Sequence, residues 1–490
     1  MSKRMNVLHI IADQHHAGCM GHEGHPQVIS PNLDRLAASG LRFTRCYTQN
    51  TICTPSRVSL ISGQYCHNHG FYGLGGPRPD WLPGSFSHFK QHGYRTAGIG
   101  KLHLPTTPRI WLETQFDTCA DSYFGMDGNQ DTAPWCMEIK AKGLQDKHEF
   151  YQSNLWGEPK QRASEIPFDM SQEGWSVREA IRFMDGCGDA PFCMQVSLER
   201  PHDPCAPSRE FWDMYPDDIE LPKTFTYPCD HRPPHFREMH DAWRKETGAD
   251  YVAAAKRRWK GYLASITHTD HAVGRLLDHL DKSGLAENTI VIYNADHGAY
   301  MSQYGIYEKA PGICSEAVCR VPSLWRVPGL TPAGQVCGQL TENVDMAPTF
   351  AALCGLPAMP WADGIDVTSL LAGGNQSVRE LAVTECPHSK AIRWGKWRFV
   401  HYQPETFGED VGELYDGEAD LDETRNLYHA PECRETVEQC RRMLLEWLIR
   451  TTRIRTGWGV QGVDHKNKLY PDAGDGRMPL PQFGSCRNYE

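Results

Sequence analysis

The chain has 490 residues, 40% of them hydrophobic, and a formal net charge of −11 at pH 7. That length supports one large domain with a smaller one, or two or three ordinary domains, and the acidic balance argues against a nucleic-acid binder, which needs a basic face. An anionic small molecule remains compatible, because a few local cations can dominate a site inside an acidic protein.

The N-terminal apolar run Val7-Leu8-His9-Ile10-Ile11 is too short for a secretory h-region, carries a histidine and leads into Asp13 without a small-residue cleavage site. No stretch approaches the length of a membrane span, so the expected location is cytoplasmic. Asn6 to Ala12, ending in Asp13-Gln14, reads as a buried strand of a parallel sheet. In the next segment Ser30 is placed as an N-cap, Pro31 at the first helical position and Gly40 at the C-terminal stop. Leu41-Arg42-Phe43 starts another extended piece, and a helix-like run covers Val58 to Gln64. Further strands are expected at Arg95 to Ile99, Phe192 to Leu198 and Thr289 to Asn294. A long amphipathic helix, Arg257 to Lys282, precedes the last, with Tyr262, Ile266, Val273, Leu276, Leu277 and Leu280 at helical spacing.

Beyond residue 375 the character changes. Ala391 to Tyr402, with Trp394, Trp397 and Phe399, reads as a hairpin, and Pro431 to Arg450 reads as a helix with Val437, Cys440, Leu444, Trp447 and Leu448 on one face. The tail is rich in Gly, Pro and charge and is expected to wrap irregularly. Strands alternating with helices imply an α/β fold: a large, mostly parallel central sheet flanked by helices on both faces over residues 1–375, then a smaller C-terminal α+β subdomain, 376–490, on a short antiparallel sheet. Ligands of such sheets bind beyond the carboxyl ends of the strands, and Asp13 and Asp296 each lie just past such an end.

The 18 cysteines form no C-x-x-C pair, which leaves no zinc-ribbon or thioredoxin-like motif. In a reducing compartment most serve as small buried apolar residues. Cys53 is set apart by its neighbours in Cys53-Thr54-Pro55-Ser56-Arg57.

Four clusters fit one another: Asp13-Gln14; Cys53 to Arg57, continued by Val58-Ser59-Leu60-Ile61-Ser62-Gly63-Gln64; Gly98-Ile99-Gly100-Lys101-Leu102-His103; and Asn294-Ala295-Asp296-His297-Gly298. In this order they resemble the formylglycine-dependent sulfatases of the alkaline-phosphatase superfamily. Supporting pieces are Arg200-Pro201-His202-Asp203-Pro204, Lys309 ahead of Arg320-Val321-Pro322, Val344-Asp345-Met346-Ala347-Pro348-Thr349 and Glu413-Leu414-Tyr415-Asp416. The resemblance implies that a formylglycine-generating enzyme oxidises Cys53 to the aldehyde, whose hydrate attacks sulfur. It also implies a divalent cation, Ca²⁺ in most of the family with Mg²⁺ or Mn²⁺ as alternatives, held by Asp13, Gln14, Asp296 and His297 and touching the position-53 oxygen. Oxygen-dominated donors of this kind suit hard cations. Gln14 departs from the second aspartate many sulfatases carry, which removes one negative charge.

By the same resemblance Arg57 holds the hydrate, Lys101 is an electrostatic clamp on the sulfate, His103 is the base for aldehyde regeneration, and His202 and Lys309 are candidates for protonating the leaving oxygen. Taken singly, each has a plainer reading: a strand-end aspartate as a loop or capping residue, a lysine as a solvated charge, Cys53 as a buried thiol. The cluster His15, His16, His22 and His25 looks like a metal site but reads better as loop or site wall. His67, Asn68 or His69 could line a pocket, and most of the 14 tryptophans belong to the core.

The leading expectation is a sulfuric ester hydrolase acting on a small sulfate ester, a sulfated sugar among the candidates, with neither nucleic acid nor membrane as partner. The alternatives are a phosphonate or phosphate monoester hydrolase of the same superfamily, and a never-modified, non-catalytic sulfate-binding relative.

Overall fold

Asn6–Ala12 forms strand β1, and both of its faces are apolar. Val7 and Ile11 join one core with Val58, Leu60, Ile61, Phe89 and Phe350. Leu8, Ile10 and Ala12 join another with Leu33, Leu36, Trp175, Val273 and Leu276. A strand buried on both sides belongs to the interior of a parallel sheet covered by helices. The computed structural model describes residues 4–74, 82–104, 110–123, 129–147, 161–309 and 313–453. The tail expected to run irregularly lies outside the described residues from 454 onward.

The partners of β1 are β2 (Leu41–Phe43), β3 (Arg95–Gly100), β4 (Thr118–Asp121), β5 (Phe192–Leu198), β6 (Thr289–Ala295), β7 (Ser323–Arg326) and β8 (Gln335–Cys337). These eight strands lie in the order β8-β2-β7-β6-β1-β5-β3-β4. Only β7 runs against its neighbours; the other pairings are parallel. The expected α/β architecture is therefore what the chain adopts. Helices α1 (Pro31–Ser39), α3 (Gln172–Cys187) and α4 (Tyr251–Lys282) cover the face of Leu8 and Ile10, and α2 (Cys53–Ser62) packs on the other.

Two of three local expectations are corrected. Ser30 occupies the N-cap position of α1 but makes no side-chain cap; its Oγ accepts the amide of Gly21 at 2.8 Å. The open amides of Asn32 and Leu33 donate instead to the Asp270 carboxylate of α4, at 2.9 and 2.7 Å, so a long-range acidic group does the capping. Gly40 ends α1 as expected, its amide donating to Ala37 O at 3.5 Å, with φ −144° rather than a left-handed backbone. A Cβ there would lie 2.1 Å from the carbonyl oxygen of Trp325 in β7, so close backbone approach requires the glycine. Helix α4 begins at Tyr251 rather than Arg257, because the Ala-rich run Val252 to Lys256 is strongly helix-forming and buries Ala254 and Ala255.

The C-terminal sheet is an antiparallel meander of β9 (Leu381–Glu385), β10 (Ser389–Trp394), β11 (Trp397–Tyr402) and β12 (Gly412–Asp416). The expected hairpin is β10–β11, with Trp394 opposite Trp397 and Ile392 opposite Phe399. Helix α5 (Arg434–Thr451) lays Val437, Cys440, Met443, Leu444 and Trp447 on Val383, Ile392, Phe399 and Leu414. This sheet also braces the approach to α2. The amide of Glu385 donates to Gln49 O at 2.7 Å, Asn50 Nδ2 to Glu385 O at 2.6 Å and Thr384 Oγ1 to Thr48 O at 2.6 Å. Among the described residues no helix is long and apolar enough to cross a membrane.

Candidate active site

The pentapeptide at Cys53 is itself the first turn of α2, which starts earlier than the expected Val58. Pro55 is tolerated there because amides of a first turn have no intrahelical acceptor. Cys53 thus sits at a helix N-terminus, where partial positive charge favours an anion, and Arg57 follows one turn later on the same face. Ser56 ties the turn to the end of β6, its Oγ donating to Asp296 O at 2.6 Å.

Asp13 and Asp296, beyond the ends of β1 and β6, converge on the Arg57 guanidinium. Nε donates to Asp296 Oδ2 at 2.8 Å and Nη2 to Asp13 Oδ2 at 3.1 Å. Nη1 donates to Lys101 O at 2.6 Å and Ser197 Oγ at 2.7 Å. With both Oδ2 atoms occupied, the Oδ1 atoms face His297 Nε2, at 3.9 Å for Asp13 and 3.7 Å for Asp296. Cys53 Sγ lies 3.3 Å from that nitrogen and 3.6 Å from Asp13 Oδ1. Donor atoms of Asp13, Cys53, Asp296 and His297 all fall within 4.8 Å of one another, and all four residues are buried. His297 Nδ1 is engaged by Gly298 O at 2.8 Å, which leaves Nε2 aimed at the cluster.

Two carboxylate oxygens and one imidazole nitrogen around a common point fit a divalent cation. Gln14 adjoins them in a left-handed conformation, φ 68°, with its amide N–H on Asp296 Oδ1 at 3.0 Å. Its Oε1 accepts Lys309 Nζ at 2.7 Å while its buried Nε2 has no hydrogen-bond partner among the described residues. Gln14 therefore serves Lys309 in this arrangement and stands beside the donor set as a further amide oxygen.

The cations and imidazoles expected from sequence meet at the same point. Lys309 Nζ is 3.2 Å from Cys53 Sγ. Lys101 Nζ is 2.9 Å from Asp13 Oδ2 and 3.1 Å from Glu199 Oε1. His103, with φ 44°, and His202 both act on the Cys53 thiol. Left-handed backbone at two non-glycine residues of one site is the kind of strain that surrounding structure holds in place for a purpose. Burial alone would push the Cys53 thiol up, but Lys309 and His297, with hydrogen bonds from His103 and His202, hold it well below its ordinary value. Burial likewise opposes the ionised Asp13, as does Cys53, yet Lys101, His202 and Arg57 keep that carboxyl below the carboxylate range. Burial would lower His202, as would Lys101 and Lys309; Asp13 and Cys53 outweigh them and raise it.

All ten sequence-derived residues, Asp13, Gln14, Cys53, Arg57, Lys101, His103, His202, Asp296, His297 and Lys309, are thus brought to one place. The first-loop histidines are not. His15 is bonded to Tyr293 OH and Cys19 O, His16 Nδ1 accepts from Gly18, His22 pairs with Asp34 and His25 Nδ1 accepts from Gln27 and Val28. His67 is bonded to Glu385 and His69 to Ser59. A cavity of about 490 Å³, walled by His16, Trp259, Tyr300, Tyr304 and Arg320, includes none of the ten. Two participants escaped the sequence reading, Ser197 and Glu199. Glu199 immediately follows β5, as Asp13 follows β1, and that placement was the available signal.

A family model described as "Sulfatase" matches residues 5–356, and one described as "N-sulphoglucosamine sulphohydrolase, C-terminal" matches residues 302–449. A choline-sulfatase of Rhizobium meliloti is 27% identical over 443 residues, covering 87% of this chain and 83% of the relative. An arylsulfatase of Clostridium perfringens is 27% identical over 463 residues, covering 90% and 94%. Among solved structures, one described as in complex with its substrate D-glucosamine-2-N,6-O-disulfate superposes with a TM-score of 0.74 at 22% identity, over 92% of this chain and 98% of the other. A phosphonate monoester hydrolase of Silicibacter pomeroyi superposes with a TM-score of 0.79 at 20% identity, over 97% and 99%.

Proposed function

Since the chain belongs to the sulfatase family and is a sulfuric ester hydrolase, we propose that its nucleophile is a formylglycine made from Cys53 and that Asp13, Asp296 and His297, with Gln14 beside them, hold Ca²⁺. The observation that carries this reading is the convergence of those donors, two lysines and two histidines on the first residue of α2. A hydrated aldehyde at position 53 supplies a hydroxyl that attacks sulfur and a second one whose deprotonation releases sulfate, and a hard cation there would polarise the sulfuryl oxygens and acidify the attacking hydroxyl.

The chain's own residues do the rest. Arg57 holds Oδ2 of both carboxylates and turns them so that Oδ1 of each faces His297. The helix N-terminus, Lys101 and Lys309 place positive charge where negative charge collects as the S–O bond breaks. His202 and Lys309 are the two proton donors within reach of a leaving oxygen, and His103 is placed to take the proton when the aldehyde is restored. Among small sulfate esters the reading favours a sulfated sugar. The C-terminal family match and the neighbour solved with a glucosamine disulfate support it, as does a relative named N-acetylglucosamine-6-O-sulfatase. A cytoplasmic location, where thiols stay reduced, fits the 17 cysteines of the described residues, which form no disulfide among those residues.

The test is an assay of enzyme made in a host that carries the modifying activity, with the Cys53 peptide weighed by mass spectrometry. An aryl sulfate is compared with an aryl phosphate and a phenylphosphonate ester. A preference of about a hundredfold for either phosphorus ester, about 2.7 kcal/mol in barrier, would overturn the sulfatase specificity. A wholly unmodified, yet fully active, Cys53 would overturn the nucleophile.

A further inference from the structure

Lys101 stands beyond the end of β3, and Asp13, which its ammonium reaches, stands beyond β1. Strand β5 lies between them in the sheet. Neighbouring strands are about 4.8 Å apart, so the Lys101 and Asp13 side chains together bridge about 10 Å of sheet across the end of β5. The residue at that end is Glu199, and its Oε1 meets Lys101 Nζ at 3.1 Å. Lys101 is 1% exposed, so water cannot satisfy its ammonium. Asp13 Oδ2 cannot satisfy it alone, because that oxygen also accepts from Arg57. Glu199 is itself held: Gln172 Nε2 donates to its Oε2 at 3.2 Å and to Ser122 Oγ at 2.9 Å. The Tyr123 ring closes another side, with its centroid 5.0 Å from Nζ.

We propose that Glu199 is the positioning residue for Lys101. It supports the long side chain midway across the sheet and sets the ammonium against the sulfuryl group. This rests on the reading of Lys101 as the clamp on the sulfate. Without Glu199 the ammonium is left with Asp13 Oδ2, which it shares with Arg57, and with the face of the Tyr123 ring, and it loses the fixed position from which it meets the sulfuryl group.

The experiment is a double-mutant cycle on formylglycine-bearing enzyme, with rates normalised to formylglycine content. The variants are Lys101→Ala, Glu199→Ala and the pair, assayed on an aryl sulfate. Glu199→Ala is expected to lower kcat/KM at least tenfold in the parent and less than twofold on top of Lys101→Ala. Glu199→Gln, which keeps an acceptor of the same shape, is expected to recover at least a third of the parent value. Equal losses from Glu199→Ala in both backgrounds would assign it a structural role and overturn the proposal, as would no loss in the parent. If Lys101→Ala alone leaves kcat/KM unchanged, the reading of Lys101 falls and takes the proposal with it. Should Glu199→Ala not fold, the cycle is run with Glu199→Gln, where a coupled loss of about threefold supports the proposal and an uncoupled one rejects it.

Discussion

Replacing Arg57 by methionine tests the electrostatic centre of the molecule. The guanidinium is fully buried and donates to Asp296 Oδ2, Asp13 Oδ2, Lys101 O and Ser197 Oγ, all within 3.1 Å. Methionine fills much of the same volume, so the loss is one of charge and hydrogen bonds rather than of packing. Asp13 Oδ2 retains Lys101 at 2.9 Å, and the penalty falls mainly on Asp296, whose Oδ2 is left without the cation. Removing one partner of a buried ion pair costs about 3–5 kcal/mol. A value of about 4 kcal/mol raises the unfolding constant of the metal-stripped protein by about a thousandfold. Urea unfolding followed by tryptophan fluorescence, in chelator and then in excess Ca²⁺, measures it. The deficit is expected in chelator and should shrink when the ion is present, because ligand bound to the native state adds stability. Metal-free Arg57→Met unfolding within about 0.5 kcal/mol of the parent would show that the two carboxylates do not depend on this counter-ion, and the account of the site would be wrong.

Other outcomes are expected on the same grounds. Lys309→Ala removes an ammonium 3.2 Å from the position-53 atom and should lower kcat/KM about a hundredfold, about 2.7 kcal/mol, in steady-state assay. Chelation should abolish turnover and lower the melting temperature, with both restored by added Ca²⁺; a protein whose melting is indifferent to chelator and cation would have no such site. Gly100→Ala places a Cβ 1.9 Å from Ser197 O at φ 94°, costing about 3 kcal/mol or more, visible as a drop in melting temperature or a failure to accumulate as soluble protein. Glu385 shows a pH dependence. Burial would raise its carboxyl, but His67 and Lys390 bring it down from 4.5 to about 2. A depressed carboxyl stabilises the fold above its unfolded value and loses that contribution as pH falls through the folded one. Glu385→Gln should therefore cost about 3 kcal/mol at pH 7, with the difference from the parent vanishing between pH 4.5 and 2 in urea unfolding; a difference independent of pH would refute the assignment.

Much of the frame was legible because it is written in short-range periodicity. Asn6–Ala12, Phe192–Leu198 and Thr289–Ala295 are mostly apolar runs and are buried on both faces, and such runs have few uses other than the middle of a covered sheet. The site residues were legible as residue types placed just past those strands. Less legible was whatever depended on a partner distant in sequence. Ser30 has the chemistry of a cap, yet Asp270 does that work from another helix. Gly40 looks like a stop and is one, but the reason it must be glycine is the backbone of Trp325, distant in sequence. The histidines of the first loop resemble a metal cluster until at least one ring nitrogen of each is seen to bond a nearby residue of the chain.

The amino-acid sequence alone determined which strands can be buried, a property of local composition and order, and its resemblance to the sulfatases implied the chemistry of Cys53 to Arg57 and the cations that accompany it. Tertiary structure alone decided that one guanidinium would turn two carboxylates toward His297, that Gln14 would serve Lys309, and that Glu199 would stand beneath Lys101. The physical reason is that a strand end gains its neighbours only when the sheet order is set, and that order comes from packing along the whole chain rather than from any segment of it.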